Sequence, residues 1–173
     1  MAGSSLAPTS ALAAHGELEE DAARRSHRGI RLAVGGHGGG TLNPDQWLAG
    51  AHAIANGLFI RALSSELAVS GTLGGNHGGA RAALRLGYTF WLSEAFGLGA
   101  VAGASGEYYF PVGDFARFCD RVDLDACSGF GGGIELGGAV RYDFLRAMAL
   151  GGIAELPAVT LVLAADFELS GGR

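Results

Sequence analysis

Five histidines, two cysteines and a run of aspartates are the residues of this chain with the chemistry to bind an ion, move a proton or form a covalent link. His37 in Gly-Gly-His-Gly-Gly and His77 in Gly-Asn-His-Gly-Gly can share a transition ion if their segments meet, since imidazole suits zinc, copper and nickel. Flanking glycines fix neither ring, so solvent-exposed loop imidazoles are the plainer reading and no metal site is assigned. Asp120, Asp123 and Asp125 can attract calcium, yet the run passes into Cys127 and Ser128 without EF-hand spacing, which leaves a solvated acidic loop. Cys119 and Cys127 lie in no Cys-x-x-Cys pair, and no other cysteine exists to complete a zinc site. A disulfide and a pair of free thiols both stay open on spacing alone. Gly97-x-Gly99-x-x-Ala102 matches a dinucleotide fingerprint by letter, but it sits inside an alternating stretch and opens no helix. The histidines, at 15, 27, 37, 52 and 77, fall in the first half of the chain with no serine and acid at strand spacing. No catalytic residue and no cofactor are therefore expected.

Composition limits the setting in which these residues act. Charged side chains make up 17% of the chain, against about 25% in an average soluble protein. Apolar ones reach 49%, which disfavours disorder and leaves little charge to coat a water-facing exterior. The net charge is −5, and no basic cluster is stronger than Arg24, Arg25 and Arg28, so no nucleic-acid partner is expected. A length of 173 residues suits one domain. No helix-length apolar span is present: Leu86 to Gly106 is broken by Glu94 and several glycines, and Ala147 to Ala165 by Glu155 and Pro157.

What recurs instead is alternation with period two, the mark of a sheet whose faces differ. Arg81 to Phe90 sets Arg81, Ala83, Arg85, Gly87 and Thr89 against Ala82, Leu84, Leu86, Tyr88 and Phe90. Phe96 to Phe110, Ile134 to Phe144 and Val159 to Leu169 repeat the pattern. Weaker segments at Gly29 to Gly35, Trp47 to Ala55, Leu58 to Val69 and Arg146 to Glu155 complete eight strands. Long connections are expected at Gly36 to Gln46, Ser70 to Ala80 and Pro111 to Gly129. Short ones are expected at Asn56-Gly57, Ser93-Glu94, around Leu145 and at Leu156-Pro157. Eight antiparallel strands in sequence order close most simply into an all-β, eight-stranded antiparallel up-and-down barrel, which removes exposed edges.

The same alternation fits a barrel with either face outward, and glycine decides between them. Gly97, Gly99, Gly103, Gly133 and Gly137 share the face that carries the charges, although glycine weakens a strand. A narrow lumen justifies them, because inward arginines and glutamates need small neighbours. This orientation places a charge network of Glu66, Arg81, Arg85, Glu107, Glu135, Arg141, Asp143 and Asp166 in the lumen, with Glu155 and Glu168 beside it. Such charges persist only when partnered, so they form a plug and no pore. Leucines and valines face lipid, and Tyr88, Phe90, Phe96, Tyr142 and Phe144 form an aromatic girdle near the short turns. The alternative is a soluble, lipocalin-like barrel that binds an apolar ligand, with those aromatics as its core.

The run Gly29 to Leu169, with segments such as Ala82-Ala83-Leu84-Arg85-Leu86-Gly87-Tyr88-Thr89-Phe90, resembles the small eight-stranded outer-membrane barrels of the OmpA/OmpX class. That resemblance implies a transmembrane barrel in the outer membrane of a Gram-negative bacterium, with a structural or surface-interaction role and no catalysis. Membrane lipid is the implied partner, together with a protein or surface ligand at the 111–129 loop. On that exported side Cys119 and Cys127 pair as a disulfide closing a nine-residue ring. A further alternative within the class is a lipid A-modifying enzyme, whose serine and histidine near the carboxyl end have no counterpart here. The chain departs from the class in ending Ser170-Gly171-Gly172-Arg173 after Phe167 and Leu169, where an aromatic terminus is usual. Residues 1–28 are read as a flexible N-terminal tail, with Ala11-Leu12-Ala13-Ala14 as the remnant of an export signal begun upstream. Residues 29–169 are read as the barrel and 170–173 as a C-terminal tail.

Overall fold

The computed structural model describes residues 30–42, 45–58, 60, 62–122, 127–153 and 158–169. The tails expected at 1–28 and 170–173, Glu155 and the Leu156-Pro157 hairpin lie outside the described residues. Eight strands follow one another: β1 (Arg31–Leu42), β2 (Gln46–Asn56), β3 (Leu63–Gly74), β4 (His77–Trp91), β5 (Phe96–Pro111), β6 (Gly129–Tyr142), β7 (Leu145–Ile153) and β8 (Ala158–Glu168). Among the described residues one helix, α1 (Gly113–Val122), stands between β5 and β6. Each strand pairs antiparallel with the next, and β8 returns to β1, so the sheet is a closed barrel.

Closure follows from the alternation. In β4 the leucines, Tyr88 and Phe90 are exposed on the outer wall, while Ala83 and Arg85 are buried inside. Glu66 of β3 and Glu135 of β6 are buried in the same sense, opposite Leu67 and Leu136. The lumen is not wholly polar. Leu48, Val101, Met148, Leu150 and Val162 form a buried apolar cluster, with Ala139 against it.

Several expected boundaries need correction. The stretches Gly36 to Gln46 and Ser70 to Ala80 are mostly strand: β1 continues to Leu42, β3 to Gly74, and β4 starts at His77. Glycine runs show no side-chain alternation, yet their backbones still ladder, as Gly38 with Ala49 and Gly39 with Leu48 do. The Asn56-Gly57 pair is not a two-residue hairpin. Gly57 takes a positive φ of 79°, but the connection runs on until its N–H meets the Leu63 carbonyl at 2.8 Å, so β3 starts at Leu63 and not Leu58.

The inward glycines also have a reason beyond making room. A Cβ on Gly39 would lie 1.9 Å from the Leu161 carbonyl oxygen, and one on Gly137 would lie 2.0 Å from that of Ala149. The wall therefore bends so sharply that the neighbouring backbone occupies the side-chain position, and glycine is a curvature device. Gly79 does make room, since a Cβ there would meet Thr72 Oγ1 at 2.6 Å and Glu107 Oε1 at 2.7 Å.

Candidate functional site

Four arginines and three carboxylates from five strands alternate in one chain through the lumen: Arg81, Glu135, Arg85, Glu66, Arg146, Asp166 and Arg141. Arg81 of β4 pairs with Glu135 of β6 and also donates to Ser105 Oγ at 3.4 Å. Arg85 donates through Nε to Glu135 at 2.7 Å and through Nη1 to Glu66 at 3.2 Å. Arg146 of β7 meets the other oxygen of Glu66 at 2.5 Å and Asp166 of β8 at 3.2 Å. Arg141 closes the chain on Asp166 at 3.3 Å, donates to Asn56 Oδ1 at 3.4 Å and lies 5.8 Å from the Trp91 ring centre. Each carboxylate thus has cationic partners on two different residues, which is the condition for keeping ions out of water.

Asp166 has a further partner. His52 Nε2 donates to Asp166 Oδ1 at 2.7 Å, and both side chains have 0% exposure. The opposite nitrogen, His52 Nδ1, faces Nδ1 of His37 at 3.3 Å. The two histidines belong to β1 and β2, whose register places His37 opposite Gly50 and His52 opposite Gly35.

Glu66, Arg81, Arg85, Glu135, Arg141 and Asp166 are thus brought together. Glu107 also faces inward, opposite Arg81 in the β4–β5 register, and its carboxylate accepts from Thr72 Oγ1. Asp143 is a correction: it is exposed in the turn after β6 at φ 53°, because the strand ends at Tyr142 and the alternation cannot run through a reversal. Glu168 lies at the rim and pairs with Arg31 at 2.8 Å. His37 is another correction, since it stands inside β1 and its ring partner is His52, whereas His77 begins β4 beside Tyr109 and Phe115.

Sequence reasoning missed Arg146 and His52. Both had a signal: each is a polar residue in phase with apolar inward neighbours, Arg146 with Met148 and Leu150, and His52 with Leu48 and Ile54.

At the end opposite Asp143, α1 is held by a disulfide between Cys119 and Cys127. Phe115 packs edge-on against His77 with ring centres 5.1 Å apart and stacks on Phe118 at 6.4 Å. Asp114, Arg117, Asp120 and Arg121 point to solvent, as does nearly half of Phe118.

Tyr88, Phe90, Phe96, Tyr142 and Phe144 are on the outer wall at the short-turn end, where Phe144 also stacks on Phe167 at 6.1 Å. A second ring, not anticipated, stands at the α1 end: Trp47, Tyr108, Phe110 and Phe130, with Tyr108 and Phe130 5.8 Å apart.

Neither a protein-family model nor a curated protein matches this chain. Among solved structures it is similar to the N-terminal β-barrel domain of Pseudomonas aeruginosa OprF, with a TM-score of 0.55, 14% identity, and coverage of 82% of this chain and 100% of that one. It is similar to Neisserial surface protein A with a TM-score of 0.55, 10% identity, and coverage of 81% of this chain and 97% of that one. The chain therefore has the closed, eight-stranded antiparallel barrel fold of these structures.

Proposed function

We propose that this chain is an integral outer-membrane protein of a Gram-negative bacterium, in which a plugged barrel anchors the 111–129 loop, with its Cys119–Cys127 disulfide, as a surface for a protein or other surface ligand. The observation that carries this reading is inverted polarity. Leu67, Leu84, Leu86, Leu98, Leu136, Leu161 and Leu163 are exposed on the outer wall, while Glu66, Arg85, Glu135 and Asp166 are buried inside. An apolar belt of that size has no stable place in water, and hydrocarbon removes the difficulty.

The belt also has the right height. Phe96 and Tyr108 on β5, and Phe130 and Tyr142 on β6, are outward aromatics each twelve residues apart. At a rise of about 3.3 Å per residue and a typical tilt of about 40°, that separation is roughly 30 Å, the thickness of a bilayer core. Charge pairs across the lumen favour a structural plug over conduction. A lipocalin-like reading would need the leucine-rich face of the sheet inside, and that face is exposed on the outer wall. The described histidines of β1 and β2 turn inward, which disfavours chemistry on membrane lipid.

Electrophoresis with and without boiling tests the proposal alongside envelope fractionation. A folded band that shifts only on heating, from a detergent-extracted outer-membrane fraction, supports it. A fully water-soluble protein with no heat-dependent shift would overturn it.

A further inference from the structure

We propose that His37 and His52 form a two-imidazole site for a divalent transition ion, zinc foremost, inside the lumen. The spacing carries the argument. Two nitrogens held about 2.0–2.1 Å from a tetrahedral ion stand roughly 3.3–3.4 Å apart, and the two Nδ1 atoms are 3.3 Å apart. The rings are tilted by 37° with centres 5.5 Å apart, so they face each other edge to edge and do not stack. Binding requires His37, the more accessible of the two, to rotate so that its lone pair and that of His52 meet at one point.

The surroundings prepare one ligand completely. Asp166 accepts the Nε2 proton of His52 at 2.7 Å, so Nδ1 of that ring carries the free lone pair. A carboxylate behind a histidine is the arrangement that orients a metal-binding imidazole and raises its basicity. Gly35 leaves the space, since a Cβ there would lie 2.8 Å from His52 Nε2. His37 reaches the same state by moving its proton from Nδ1 to Nε2, with no net proton lost.

Among the described residues, no group of three or more His, Cys, Asp or Glu side chains converges to hold a metal. The site therefore supplies two protein ligands and leaves the other positions to water. Arg85 and Arg146 lie near enough to oppose a cation, but each is already engaged by a carboxylate. This proposal requires only the closed barrel, so it is separable from the membrane assignment: envelope fractionation reports the membrane and the titration below reports the ion.

The test is calorimetric titration of Zn²⁺ into the folded full-length protein in detergent, paralleled by Co²⁺, whose visible bands report tetrahedral nitrogen ligation. One ion per chain is expected, with binding at least tenfold weaker in His37→Ala and unchanged in His77→Ala. Asp166→Asn is expected to weaken binding by about ten- to a hundredfold. His37→Gln serves as a bulkier replacement if His37→Ala loses its heat-dependent gel shift. No uptake by folded wild-type protein would overturn the proposal. Uptake undiminished in the folded His37 variants would do the same, by placing the ion at other histidines such as His15 and His27.

Discussion

Arg85 on β4 donates through Nε to Glu135 on β6 at 2.7 Å, reaching across the lumen past β5, which separates those strands in the wall. Side-chain exposures of 6% and 2% leave both charges dependent on protein partners. The wall is held by backbone ladders between neighbours, and this pair adds a tie between strands that do not ladder. Removing Arg85 strips a donor from both Glu135 and Glu66, and a broken buried pair typically costs about 3–5 kcal/mol. Arg85→Met is expected to lower stability by that amount in urea unfolding from phospholipid vesicles. The double variant with Glu135→Met should cost less than the two single changes together, because the second change removes the stranded charge. Strict additivity would show that the two residues do not act as a pair.

Two neighbouring glycines on β1 make opposite predictions. Gly38 points outward, and a Cβ there would find its nearest atom, the Leu48 carbonyl oxygen, at 3.7 Å. Gly39 points inward, where a Cβ would lie 1.9 Å from the Leu161 carbonyl oxygen of β8. Gly38→Ala is expected to be neutral or to stabilise by about 0.4–1 kcal/mol through the unfolded chain. Gly39→Ala must push β1 from β8 at the seam that closes the barrel, at a cost of at least about 1–3 kcal/mol. The fraction of protein giving the heat-dependent gel shift separates the two, and equal behaviour would refute the curvature argument.

These glycines mark where the sequence was legible and where it was not. Arg81 to Phe90 and Phe96 to Phe110 showed strand, phase and orientation, because one face had to differ from the other. Gly36 to Leu42 looked like loop because residues without side chains carry no alternation, although backbone pairing does not need one. Asp143 was misplaced because phase continues on paper where the chain turns. The link from His37 to His52 was hidden for the same reason as the long β1: once Gly36 to Gln46 is taken as loop, His37 has no inward face. Arg146 was readable in phase, but its strand has a single charged residue to mark the inner side.

The disulfide is expected to order α1 without supporting the barrel. Closing the ring between Cys119 and Cys127 contributes about 2.5 kcal/mol by loop-closure entropy, and that gain is local to the segment. Arg117 and Arg121 are exposed on the helix, so they are trypsin sites whose cleavage reports its opening. Cys119→Ser with Cys127→Ser should speed cleavage there severalfold while the gel shift of the barrel persists. Loss of that shift would show that the segment holds the wall together.

The orientation of the barrel is tested most directly on its outer wall. Leu84 is at the middle of β4 and 61% exposed, and Leu73 is near the end of β3 and 59% exposed. Equal exposure would predict equal cost for an arginine at either position if both faced water. In hydrocarbon the costs differ, because arginine is expensive by about 2–4 kcal/mol at the midplane and by about 0–1 kcal/mol near the interface. Leu84→Arg is therefore expected to destabilise folding into vesicles by roughly that larger amount, and Leu73→Arg by little, in urea titrations of both variants. Equal and small effects would mean that no bilayer surrounds the belt, and the membrane reading would fail with them.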